Sequence, residues 1–150
     1  MLRIDEALVT IPHTGTIFFR ERNGIQNLFH TTPDSIRNIR AVQKMWTTVR
    51  DPYRILASWR NRAVGPRWQE ILWCDLCIWS KEVMARAPEI LCVDDFPGEE
   101  PKNSVADINN LHAALDANDW AHYFSVVPRS YVELIFEEFG GLFSRYEVRH

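Results

Sequence analysis

The sequence predicts an α/β protein: a parallel sheet of about four to five strands, flanked by helices in three layers. Three observations predict it. Short runs rich in apolar, β-branched and aromatic residues (7–11, 45–49, 89–93) alternate with segments whose apolar residues recur at helical spacing. The period switches abruptly at Arg50-Asp51-Pro52. The chain is 150 residues long, room for one ordinary core and not for two, so residues 1–150 are expected to form one domain. Strands that alternate with helices pair in parallel, because each crossover returns the chain to the end from which it started.

Taken in order, residues 7–11 read as a buried strand that Pro12 and Gly15 end, and 16–22 as a helix with Gly24 as its stop. Residues 25–30 suit a second strand. Thr32-Pro33 disfavours helix before it, and Asp34 can cap a short helix over 35–41. Residues 45–49 form the third strand. Asp51 then suits an N-cap and Pro52 the first helical position, which predicts a helix over 53–62. Past Gly65-Pro66, the residues Trp68, Leu72, Leu76, Trp79 and Val83 draw an apolar stripe along a long helix over 67–86. Residues 89–93 make a fourth strand, 96–103 a loop, and the remainder three helical pieces over 104–117, 119–124 and 128–145.

Hydrophobic residues make up 46% and charged residues 25% of the chain, a globular balance that excludes a disordered tail or a fibrous repeat. No apolar run approaches the roughly 18 residues of a membrane helix. Residues 1–12 lack the start of a secretory signal, and three cysteines are too few for a disulfide scaffold, so a cytoplasmic setting is expected. The net charge of −3 hides a split: residues 36–68 hold eight bases against Asp51 alone, and 89–119 hold eight acids against Lys102 alone. The basic stretch would attract a polyanion, or the two stretches would attract each other in the fold.

Ligands of open parallel sheets sit beyond the carboxyl ends of the strands. Two such exits carry chemistry. Pro12-His13-Thr14-Gly15-Thr16 offers a tight turn, successive backbone N–H groups and two hydroxyls, a set suited to an anion or simply to a strand-to-helix turn. It lacks the lysine of a nucleotide-triphosphate loop. At the second exit, Arg50 can hold a phosphate through two parallel hydrogen bonds, and Ser58 lies on the same helical face as Arg54. The plainer reading there is an Arg–Asp surface pair and a serine in a helix.

Pro-x-x-Gly-Thr after the first strand, then Arg-Asp-Pro after a later one with a serine eight residues beyond the arginine, resembles the sulfotransferases. These use 3′-phosphoadenosine 5′-phosphosulfate (PAPS) on a P-loop-like α/β fold. The stretches Glu89-Ile90-Leu91-Cys92-Val93-Asp94-Asp95-Phe96 and Phe139-Gly140-Gly141-Leu142-Phe143-Ser144-Arg145-Tyr146 are similar to a late strand and an amphipathic tail of that family. The resemblance implies that His13, Thr14, Gly15, Thr16 and Ile17 form the 5′-phosphosulfate loop, and that Arg50 and Ser58 hold the 3′-phosphate. The family usually has Lys or Arg where this chain has His13. A protonated His13 would support charge on the bridging oxygen as the sulfuryl group leaves.

The expected activity is sulfuryl transfer from PAPS as co-substrate to a hydroxyl acceptor, a carbohydrate or small metabolite, with no metal, no nucleic-acid partner and no membrane partner. The alternative is a catalytically silent nucleotide-binding or interaction module with the same fold. An acceptor hydroxyl needs a base, and His30, at the exit of the second strand, titrates in the useful range; it can equally be a loop histidine without a role. Asp34, Glu70 and Asp75 follow it, since each has a simpler structural job. Cys74-x-x-Cys77, inside an apolar helix, is expected to be a pair of buried thiols, because a zinc site would need two more ligands at a recognised spacing. Trp68, Trp73 and Trp79 are expected in the core, with stacking of a ligand ring on Trp59 or Trp68 as the lesser possibility.

Overall fold

The computed structural model describes residues 2–11, 29–61, 66–95 and 111–149. Four strands, β1 (Leu2–Val9), β2 (Phe29–Thr31), β3 (Ile39–Val49) and β4 (Glu89–Cys92), form one sheet in the order β2-β1-β3-β4. Every neighbouring pair is parallel. The α-helices among the described residues are α1 (Pro52–Asn61), α2 (Trp68–Ile78), α3 (Leu111–Asp116), α4 (Trp120–Val126) and α5 (Arg129–Phe139). The α/β class and the parallel pairing expected from the alternating periods are thus present. The expected helix over 16–22 and the loop over 96–103 lie outside the described residues. The chain forms two compact units, Met1–Val49 with Glu70–Pro101, and Arg50–Gln69 with Lys102–His150.

The first unit is the sheet and its covering helix. Ala7, Leu8 and Val9 of β1 are fully buried, and Leu8 packs against Trp46 of β3 and Leu91 of β4. A polar relay threads this core. Thr47 of β3, itself fully buried, donates its hydroxyl to the Val9 carbonyl oxygen at 2.8 Å and accepts from Trp79 Nε1 at 2.9 Å. Both bonds satisfy groups that would otherwise be costly to bury.

The boundaries ahead of β3 move. The segment before β3 is a 3₁₀ turn over Pro33–Asn38, and not a helix over 35–41. Ile39 and Ala41 are drawn into the strand because β1 offers them partners, Leu2↔Ile39 and Arg3↔Ala41. Sheet pairing here overrides local helical preference. Asp34 consequently lies inside the turn, where its carboxylate accepts from the Thr32 hydroxyl.

The long helix expected over 67–86 follows one continuous helical path of three kinds. It runs as α2, widens to a π turn over Trp79–Val83, where the Met84 amide reaches back to the Trp79 carbonyl, and tightens to 3₁₀ over Met84–Arg86. Left-handed Ala87 (φ 49°) and then Pro88 end it. Leu72, Leu76, Trp79 and Val83 are all buried, as the stripe predicts. The cysteines correct an expectation. Cys74 is exposed and Cys77 half-buried, while Cys92 is buried. Successive helical residues turn by about 100°, so Cys74 points some 200° away from Leu72 and Leu76. An apolar helix still has an outer side.

In the second unit, α1 starts where the sequence places it. The Asp51 carboxylate accepts from the Tyr53 amide at 3.0 Å, and Pro52 occupies the first turn, where its missing N–H costs nothing. Asp119 caps α4 in the same way, accepting from the His122 amide at 3.1 Å. Tyr53 centres an aromatic cluster, with ring centroids 5.3 Å from Trp120, 5.7 Å from Tyr123 and 5.7 Å from Phe136. The Tyr123 hydroxyl donates to the Tyr53 carbonyl oxygen at 2.8 Å. Trp68 meets Tyr131 edge-on, and Tyr131 donates to the Gln69 carbonyl oxygen at 2.7 Å. The helix expected over 128–145 stops at Phe139, and Gly140-Gly141 turn the chain so that Phe143 is also buried.

Candidate functional site

Arg50 follows β3 directly, and the Asp51 cap fixes where α1 begins. Ser58 then falls one turn beyond Arg54 on α1, while His112 and Asp116 stand one turn apart on α3. The two helices bring these five side chains together. Arg50 Nη1 donates to Ser58 Oγ at 3.2 Å, and Ser58 Oγ lies 2.9 Å from His112 Nε2. Arg54 Nη1 donates to the His112 carbonyl oxygen at 3.1 Å and stands 3.4 Å from His112 Nδ1. Its Nη2 forms an ion pair with the Asp116 carboxylate.

Burial makes this cluster unusual. Arg50 is 2% exposed, and Ser58 and His112 are 6% exposed each. A buried guanidinium is costly unless hydrogen-bonded and compensated. The cluster includes the guanidinium groups of Arg50 and Arg54 and, at the surface end, the Asp116 carboxylate. The neighbouring Asp51 carboxylate caps α1 through one oxygen and accepts from Arg149 Nη2 through the other at 2.5 Å. A planar donor, a hydroxyl and an imidazole thus meet in a buried setting, a donor set suited to an anion such as phosphate.

Among the residues singled out from sequence, Arg50 and Ser58 are neighbours. His13, Thr14, Gly15, Thr16 and Ile17 lie outside the described residues. His30 sits in β2, its backbone in register with Leu8 of β1. Asp34 and Glu70 are exposed. Asp75 is half-buried, and desolvation, with the Asp34 charge second, pushes its carboxyl up to about 6. Trp59 and Trp68 are buried as core residues, at 2% and 7% exposure.

Sequence reasoning used Arg54 only as the residue sharing a helical face with Ser58, and gave no site role to it, His112 or Asp116. The available signal was two helical i, i+4 pairs, Arg54 with Ser58 and His112 with Asp116, but nothing local joins pairs that lie more than fifty residues apart.

Among the described residues no group of metal-ligating side chains is assembled, and no helix is long and apolar enough to cross a membrane. An open groove of about 340 Å³ in the first unit, lined in part by Lys44, Arg86 and Glu89, lies at the start of β4 and not at a strand exit. Comparison of the chain with models of known protein families, with curated proteins and with solved structures finds no match.

Proposed function

We propose that this chain is a PAPS-dependent sulfotransferase of the three-layer, P-loop-like kind, moving a sulfuryl group to a hydroxyl on a carbohydrate or small metabolite. The supporting observation is the buried Arg50–Ser58 pair directly after β3. These are the two residues that the Arg-Asp-Pro resemblance assigns to the 3′-phosphate. Two helices hold them together in a setting where a phosphate dianion would find charge, planar donors and little competing water.

In the proposed reaction the acceptor oxygen attacks sulfur, and the bond from sulfur to the bridging phosphate oxygen breaks. The acceptor proton passes to a base, for which His30 is the candidate, and the leaving oxygen gains its charge beside a protonated His13. As in phosphoryl transfer, positioning and charge stabilisation are the main contributions asked of the protein.

The test is a comparison of two nucleotides. 3′-Phosphoadenosine 5′-phosphate should raise the melting temperature of the protein, by an amount equivalent to about 2.7 kcal/mol at a hundred times Kd, whereas AMP should do far less. Arg50→Ala should erase the difference. Equal shifts for both nucleotides in the parent protein overturn the cofactor assignment. Selective binding without turnover of PAPS across a panel of hydroxyl acceptors moves the reading to a silent nucleotide-binding module.

A further inference from the structure

The position of His112 between Ser58 and Arg54 fixes more than its own orientation. A neutral imidazole carries one proton, and its two nitrogens play opposite roles. Arg54 is a donor only, and its Nη1 stands 3.4 Å from Nδ1. A proton on Nδ1 would set donor against donor beside a cation, so this contact favours the tautomer with its proton on Nε2. In that tautomer Nε2, which faces Ser58 Oγ at 2.9 Å, donates to it. Ser58 Oγ already accepts from Arg50 Nη1 at 3.2 Å. Both lone pairs of the hydroxyl are then engaged, and its own proton is left to be given to a third group.

We propose that His112 is a positioning residue that turns the buried Ser58 hydroxyl into a dedicated donor for a phosphate oxygen. Arg54 sets the tautomer, and Asp116 anchors Arg54. The inference rests on the reading of Arg50 and Ser58 as a phosphate site and adds to it the group that decides which way the serine points. A phosphate oxygen that accepts from the Ser58 hydroxyl is a charged acceptor, and hydrogen bonds to charged acceptors are the stronger class. Without His112 the hydroxyl can spend its proton within the protein, and selectivity for the 3′-phosphate falls.

Two measurements test it. Nitrogen-15 NMR of the ligand-free protein should show His112 neutral, with its proton on Nε2; a proton on Nδ1 overturns the proposal and does not depend on any variant folding. Dissociation constants for 3′-phosphoadenosine 5′-phosphate and for AMP should then be compared in His112→Ala, His112→Gln and Ser58→Ala. The preference for the bisphosphate should fall about tenfold in His112→Ala and in Ser58→Ala. His112→Gln, whose amide can donate from near the Nε2 position, should recover most of it. An unchanged preference in His112→Ala, or an equal loss for both nucleotides that Gln does not rescue, refutes the positioning role. Absence of any preference in the parent protein refutes the phosphate site itself, and the role of His112 with it.

Discussion

The Tyr53 phenol and the Arg149 backbone are bonded in both directions: the hydroxyl donates to the Arg149 carbonyl oxygen at 3.3 Å and accepts from the Arg149 amide at 2.8 Å. The Arg149 guanidinium adds a contact over the Tyr53 ring, 4.7 Å from its centroid, and the bond to Asp51. The tail thereby closes on the first turn of α1, the helix that carries Ser58. Burial raises the Tyr53 phenol above its ordinary pKa, against the lowering effect of the Arg149 backbone bond, so the hydroxyl keeps its proton at neutral pH.

The cap and the tail should contribute unequally. Asp51→Ala removes a buried N-cap and is expected to cost about 1–2 kcal/mol in urea denaturation. Arg149→Ala acts at a side chain 48% exposed and should cost under about 1 kcal/mol. Equal losses would mean that the tail, and not the cap, sets the stability of α1.

Thr47 offers a second contrast. Thr47→Val preserves shape but removes the acceptor of Trp79 Nε1 and the donor to the Val9 carbonyl oxygen. A loss of about 1–3 kcal/mol is expected, and Thr47→Ser, which keeps the hydroxyl, should avoid the larger part of it. If Val and Ser behave alike, the relay is not what holds these strands to the helical segment.

Asp75 predicts a pH dependence. Its folded carboxyl, pushed up to about 6, holds a proton more tightly than the unfolded chain does. The stability this contributes is complete below the unfolded value of about 4 and is lost as pH rises through about 6. Asp75→Asn, which stays uncharged, should therefore raise Tm by about 2–4 °C at pH 7.5, a gain reduced by partial solvent screening, and leave it unchanged at pH 4. A gain of the same size at both values would trace the effect to something other than ionisation.

The thiols should divide by exposure. A charged thiol reagent is expected to modify Cys74 rapidly in the native protein, Cys77 slowly, and Cys92 only as the chain unfolds. Mass mapping of the labelled peptides checks the order.

Where a local rule and the tertiary structure agree, the fold was legible in advance. Asp51-Pro52 carries its own start signal, and the Leu72–Leu76–Trp79–Val83 stripe its own face, so both were placed from sequence. Ile39 and Ala41 went to the wrong element because their strand character comes from β1, thirty-odd residues earlier, and not from their neighbours. Cys74 was misjudged because average apolarity says nothing about direction around a helix. At the candidate site, Arg50 and Ser58 could be named because the Arg-Asp-Pro resemblance that pairs them lies in one short stretch of chain. His112 could not, because its relation to Ser58 exists only once α3 lies against α1.

Both compact units are discontinuous in the chain, and this bears on the order in which the protein is made. α1 leaves the ribosome long before α3, so a nascent chain can hold the complete Arg-Asp-Pro segment while its imidazole and carboxylate partners are still to be translated. A product cut short ahead of Leu111 would keep every residue of the motif and lack the α3 and α5 helices that pack against α1. On the proposed reading, the phosphate site is completed only once α3 has been made, so ligand response would report on the folding of the unit that joins the two segments.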